Sequence, residues 1–155
     1  MEKMYFDTCI VSGLAKNEFA VSRNEKIFEI LKKYESKELD LVASELMEQE
    51  IAKIPAQYRT PHQSLYLLLG KIPRVGEILP NRMLLLGVGG GSRVNPVYKA
   101  LREILPDETD AKHILTAMGN GCTHFVTVDE RTIIRNREKI KPISEIKIVL
   151  PEELF

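Results

Sequence analysis

Short apolar runs alternate with helix-patterned stretches along this chain, and that alternation confines it to a layered α/β sheet with parallel strand pairing. The strand-like runs are Lys3–Phe6, Leu39–Ala43, His124–Val128 and Glu145–Leu150. Helical material is expected from Ser12, and Ile27, Phe28, Ile30 and Leu31 share one helix face within residues 25–34. Ser44 is a good N-cap for a helix reaching about Lys53 and stopped ahead of Pro55. Further helices are expected over His62–Leu69, from Asp107 as cap to Met118 with a stop at Gly119 or Gly121, and over Glu130–Glu138. The 155 residues carry no internal repeat and no long linker, so a single domain over 1–155 is expected.

Residues 71–95 read as an irregular, Gly-rich insertion. Met83–Leu86 fits a strand or a helix end. Gly87-Val88-Gly89-Gly90-Gly91-Ser92 reads as a mobile surface loop near the site. It is no dinucleotide fingerprint, because Ser92 stands where that motif needs glycine or alanine, and it lacks the closing Gly-Lys-Ser/Thr of a Walker loop.

In open parallel sheets, ligands bind beyond the carboxyl ends of the strands. Asp7 lies at that end of the first strand and Asp129 at that end of the fourth, while the helix carrying Glu50 starts on the same rim. At about 100° per residue, Leu46, Met47, Ile51 and Ile54 define one apolar arc with Glu50 inside it and Glu45 and Glu48 opposite. A first-turn helix acid and a solvated side chain account for Glu45 and Glu48, but not for Glu50. Asp110 occupies the N3 position of the helix capped by Asp107, where an acid is favourable without any function, yet it borders the arc of Ala111, Ile114, Leu115 and Met118. His113 reads as a packed or solvated histidine, and Glu130 as a solvated acid. Thr127, two residues before Asp129, can hold a carboxylate or a water. Carboxylates are costly to desolvate unless something positive meets them, so four converging acids suggest a divalent-metal site.

Composition narrows the class. Twenty-two basic residues balance twenty-two acidic ones, so net charge announces no nucleic-acid binder. The locally basic stretch Arg131–Lys141, with Arg131, Arg135 and Arg137, is the exception. Cys9 and Cys122 have neither disulfide-framework nor zinc spacing and are expected to be reduced. No run approaches a membrane span, and Met1–Asp7 lacks a basic-then-apolar leader, so a cytoplasmic protein with no membrane role is expected.

Taken together, Tyr5-Phe6-Asp7-Thr8, Ser44 to Glu50, the D-x-x-H-x-x-x-A run Asp110–Ala117, the T-x-D of Thr127–Asp129 and the closing Ile148–Leu154 resemble the PIN-domain family, which includes VapC-type toxin ribonucleases. The resemblance covers nearly the whole chain, with Cys9 standing where many members carry asparagine. It implies a three-layer α/β/α domain around a central, mostly parallel sheet of four to five strands. It further implies a ribonuclease in which Asp7, Glu50, Asp110 and Asp129 are the catalytic, metal-binding residues for one or two Mg²⁺ or Mn²⁺ ions, supported by Thr127. Arg131, Arg135 and Arg137 become candidate RNA contacts, and few cations near the rim favour a homodimer. A toxin paired with an antitoxin protein is the implied setting. The alternatives are a PIN-like RNA- or protein-binding module without turnover, and an RNA-processing nuclease outside any such pair. A receiver-like or haloacid-phosphatase-like phosphotransfer domain is disfavoured, because Asp7-Thr8-Cys9 lacks the second aspartate of D-x-D.

Overall fold

The structure is a computed structural model that describes residues 1–59, 63–76 and 96–155, with Glu50, Tyr58, Arg59 and Ser64 described by backbone alone. Five strands, β1 (Lys3–Phe6), β2 (Asp40–Ser44), β3 (Arg74–Val75), β4 (His124–Val126) and β5 (Lys147–Val149), form one sheet in the order β3-β2-β1-β4-β5. Every pairing is parallel, with Tyr5 opposite Val42 on one side and Phe125 on the other. The eight helices among the described residues are α1 (Thr8–Ala15), α2 (Val21–Glu35), α3 (Leu46–Ala52), α4 (Ala56–Arg59), α5 (Gln63–Lys71), α6 (Pro96–Ile104), α7 (Glu108–Gly119) and α8 (Arg137–Ile140).

Strand side chains alternate between two cores, as a sheet covered on both faces requires. Met4, Phe6, Leu41, Ala43 and Val126 pack with Ile10, Ile27, Ile30, Leu31, Met47 and Leu69 of α1, α2, α3 and α5. Tyr5, Val42, Phe125 and Ile148 pack on the opposite side with Leu101, Ala111, Ile114, Ala117 and Ile140 of α6, α7 and α8. The result is the three-layer α/β/α arrangement. Among the described residues no helix is long and apolar enough to cross a membrane.

Several local expectations are corrected. Within 71–95, residues 74–75 form the fifth strand, too short between Pro73 and Gly76 to leave a periodic signal. Met83–Leu86 and the Gly87–Ser92 run lie outside the described residues. The helix expected over Glu130–Glu138 is a turn followed by a 3₁₀ segment at Ile134–Asn136 and the short α8. Leu46 does not join a buried arc but is 40% exposed at the first position of α3. Met47 and Ile54 are buried as expected.

The chain's order of travel creates the crevice. It winds outward from β1 to β3, then returns on the other side of β1 to build β4 and β5. Connections therefore diverge at the carboxyl ends of β1 and β4, the switch point at which open α/β sheets bind ligands. The helix that faces this rim, α7, is anchored to β1 through a buried pair. The hydroxyl of Tyr5 and Nδ1 of His113 lie 2.6 Å apart, and the Tyr5 ring stacks on Phe125 at 5.2 Å. In the tautomer that carries its proton on Nε2, the phenol donates and Nδ1 accepts. A Schellman turn ends α7: Cys122 N–H donates to Ala117 O and Gly121 N–H to Met118 O, with Gly121 at φ 70°.

Tyr5→Phe leaves the buried Nδ1 of His113 without this donor, and we expect it to cost about 1–2 kcal/mol. Urea unfolding should show the midpoint falling with an unchanged slope.

Candidate functional site

Asp7 follows β1 directly and has extended backbone at the N-cap of α1. A capping aspartate would normally accept from the first turn of its helix, but its side chain makes no such bond. The carboxylate instead faces the β1–β4 crevice, where it is buried to 5% exposure. The Thr127 hydroxyl donates to Asp7 Oδ2 at 2.8 Å, and the Cys9 thiol donates to the same oxygen at 3.2 Å. Burial first, and the charge of Asp7 second, push the Cys9 thiol far above its ordinary range, so it stays a protonated donor.

Thr127 links two of the acids. While its proton goes to Asp7, its oxygen accepts from the backbone N–H of Asp129 at 3.1 Å. Asp129 is held in turn by Thr132, whose N–H donates to Oδ1 at 3.1 Å and whose hydroxyl donates to Oδ2 at 2.5 Å. The same hydroxyl lies 3.4 Å from Asp110 Oδ2. A continuous chain of contacts thus runs Asp7, Thr127, Asp129, Thr132, Asp110, drawing on β1, β4 and α7.

Among the described residues the charges that most affect Asp110 are negative. Burial raises its carboxyl most, and Asp107, Asp129 and Asp7 add to the effect, so that it ionises at about 7. The Thr132 hydroxyl has one proton, and the shorter contact assigns it to Asp129. Asp110 therefore gains little relief from it.

The other expected residues divide clearly. Glu50 lies in α3, which begins two residues after β2 ends on this rim, but its side chain is outside the described residues. Asp107 caps α7, accepting from Thr109 N–H at 2.7 Å. His113 is committed to Tyr5, and exposed Glu130 lies 3.6 Å from Arg23. Arg137 is bound through one nitrogen to both oxygens of Glu153, at 2.9 and 2.7 Å, in an exposed pair. Arg131 and Arg135 are exposed, and neither has an ion-pair partner among the described residues. His62, where a helix is expected to start, lies outside the described residues. Sequence reasoning missed Thr132, although D-x-x-T is the spacing at which a hydroxyl and an N–H can both turn back on an aspartate.

The donors on this rim are carboxylates and hydroxyls, hard oxygen ligands suited to Mg²⁺ or Mn²⁺ rather than zinc. Among the described residues no three carboxylate, histidine or cysteine side chains form a ready-made ligand cluster; hydroxyl bridges space the acids apart. A shared cation fits the negative charge that raises Asp110.

In chelator, this charge should appear as a pH dependence of stability. An unfolded Asp110 ionises near pH 4, the folded one at about 7, so between those values the native state binds the extra proton. Stability therefore falls as pH rises through that window. Asp110→Asn should remove that slope, and its stability relative to the parent should improve by on the order of 1 kcal/mol from pH 5 to pH 8, a figure discounted for the group's half exposure. Thermal unfolding at the two pH values in EDTA checks it. No family model, curated protein or solved structure matches the chain, so its function is argued from these groups.

Proposed function

We propose that this chain is a divalent-metal-dependent endoribonuclease of the PIN type. The observation that carries the proposal is the meeting of Asp7, from the start of the chain, with Asp110 and Asp129, from near its end, at the switch point of a parallel sheet. Asp7, Asp110 and Asp129 would hold Mg²⁺ or Mn²⁺, and Glu50, from the helix that begins on the same rim, is proposed as a further ligand. When bound, such an ion lowers the pKa of a coordinated water and neutralises charge growing on a phosphodiester.

The protein's own groups supply orientation. Thr127 and Cys9 fix Asp7 Oδ2 by donating to it, which keeps the other carboxylate oxygen, Oδ1, clear of these two contacts. Thr132 fixes Asp129 through both its oxygens. Asp110, which ionises near neutrality alone, becomes fully ionised beside a cation and is better cast as a ligand than as a base. RNA approaches a rim with few cations, of which Arg131 and Arg135 are the nearest to Asp129 in sequence. A homodimer would double that basic surface. The toxin role is a finer proposal, favoured if a short open reading frame for an antitoxin adjoins this one.

Asp7→Asn should lower Mg²⁺-dependent cleavage of RNA at least about a hundredfold while leaving thermal unfolding in chelator little changed. Equal cleavage by the variant, after removal of contaminating nucleases, would contradict the assignment. The double change Arg131→Ala with Arg135→Ala should weaken RNA binding and reduce the slope of log affinity against log salt by about 1–2. Filter binding across a salt series measures both.

A further inference from the structure

Thr132 has no part in the sequence pattern that pointed to this site, yet it touches two of the acids. Its hydroxyl and its backbone N–H close on opposite oxygens of Asp129, and the hydroxyl also stands 3.4 Å from Asp110 Oδ2. It is half-buried in a turn whose next residue, Ile133, is 1% exposed in the core beneath α7. The turn is closed further by Ile134 N–H donating to Asp129 O at 3.0 Å and by Asn136 Nδ2 donating to Thr132 O at 2.6 Å. The backbone of Thr132 is therefore fixed by the turn, and its hydroxyl is held by its bond to Asp129 Oδ2.

Resting on the metal-dependent reading above, we propose that Thr132 is a positioning residue: its hydroxyl sets the orientation of Asp129 and its spacing from Asp110 so that both can reach one cation. Two carboxylates of like charge left alone would rotate apart. A single hydroxyl between them gives Asp129 a proton to lean on and leaves the lone pairs that face a cation unused. The backbone N–H alone holds Oδ1 but allows the carboxylate to pivot about that contact, so the hydroxyl is the part that decides its plane.

Thr132→Val removes the hydroxyl while keeping the shape and the backbone N–H, and Thr132→Ser restores it without the methyl. Mn²⁺ is titrated calorimetrically into the full chain, the two variants and Asp7→Asn. Supporting bonds to ligand carboxylates commonly change metal affinity by about 10–100-fold. We expect Thr132→Val to weaken Mn²⁺ at least about tenfold and Thr132→Ser to stay within about threefold of the parent. Single-turnover cleavage at low Mn²⁺ should fall in step and recover toward the parent rate as Mn²⁺ rises, with KM for RNA unchanged. Thr132→Ala replaces the valine variant if thermal unfolding shows that valine disturbs the turn. Mn²⁺ bound equally by Thr132→Val and the parent, but not by Asp7→Asn, would overturn the role of Thr132 and leave the metal reading standing. So would equal weakening by serine and valine. A parent chain that binds Mn²⁺ no better than Asp7→Asn would remove the metal reading itself, and this inference with it.

Discussion

Like charges brought together at the edge of a parallel sheet are the constraint to which the rest of this structure answers. Two unit charges about 6 Å apart repel by about 3 kcal/mol at an effective dielectric of about 20. Whole domains are stable by only about 5–15 kcal/mol. Such a cluster persists only if it is built on elements that cannot drift apart. Here Asp7 follows a strand whose last three residues are fully buried, and Asp110 sits on a helix whose inner face is buried from Ala111 to Ala117 except at half-buried Lys112. The Tyr5–His113 bond ties that helix to that strand. Two hydrophobic cores, one on each face of the sheet, thus hold the acids against their own repulsion.

What the other acids do sharpens the contrast. Asp107 caps a helix, Glu108 pairs with Lys112, Glu152 with Arg23 and Glu153 with Arg137. Each of these residues has a cap or a cationic partner. Asp7 stands in a cap position without capping, and Asp110 is surrounded by negative charge that raises its pKa. A carboxylate that makes no bond to the helix it caps and accepts from Cys9 and from Thr127, 120 residues away, is not explained by helix capping.

Much of this was legible in the residues because burial on both faces writes itself as continuous apolar runs. Met4-Tyr5-Phe6 and His124-Phe125-Val126 are such runs, and an acid directly beyond the first one marks the sheet's edge. The cap at Asp107 and the glycine stop at Gly121 were equally plain, since each reflects a backbone need met by one residue type. The strand at Arg74–Val75 was not, because two residues carry no period; it is defined by pairing with Ala43 and Ser44, far away in sequence. The turn after Asp129 was misread as helix because Arg131, Arg135 and Glu138 suit a solvated helix face, whereas Asp129, Thr132 and Asn136 close it through side-chain bonds that periodicity does not record. Thr132 escaped notice for the same reason.

The choice of hydroxyls, rather than lysine or arginine, to hold these carboxylates has a consequence for what the rim can bind. A cationic side chain among Asp7, Asp110 and Asp129 would cancel the charge and occupy the space where a mobile cation could enter. A threonine hydroxyl orients a carboxylate through one proton and leaves the net charge intact. Thr127 gives its proton to Asp7 and accepts from the Asp129 backbone; Thr132 gives its proton to Asp129 and has none left for Asp110. Among the described residues the frame therefore satisfies geometry without supplying a cation, and Asp110, raised first by burial and then by Asp107, Asp129 and Asp7, has its ionisation pushed up to about 7. On the proposed reading, a site whose hydrogen bonds are filled but whose charge is not would favour a small, hard cation over a neutral ligand, and would not invite an anion unless that cation were already in place.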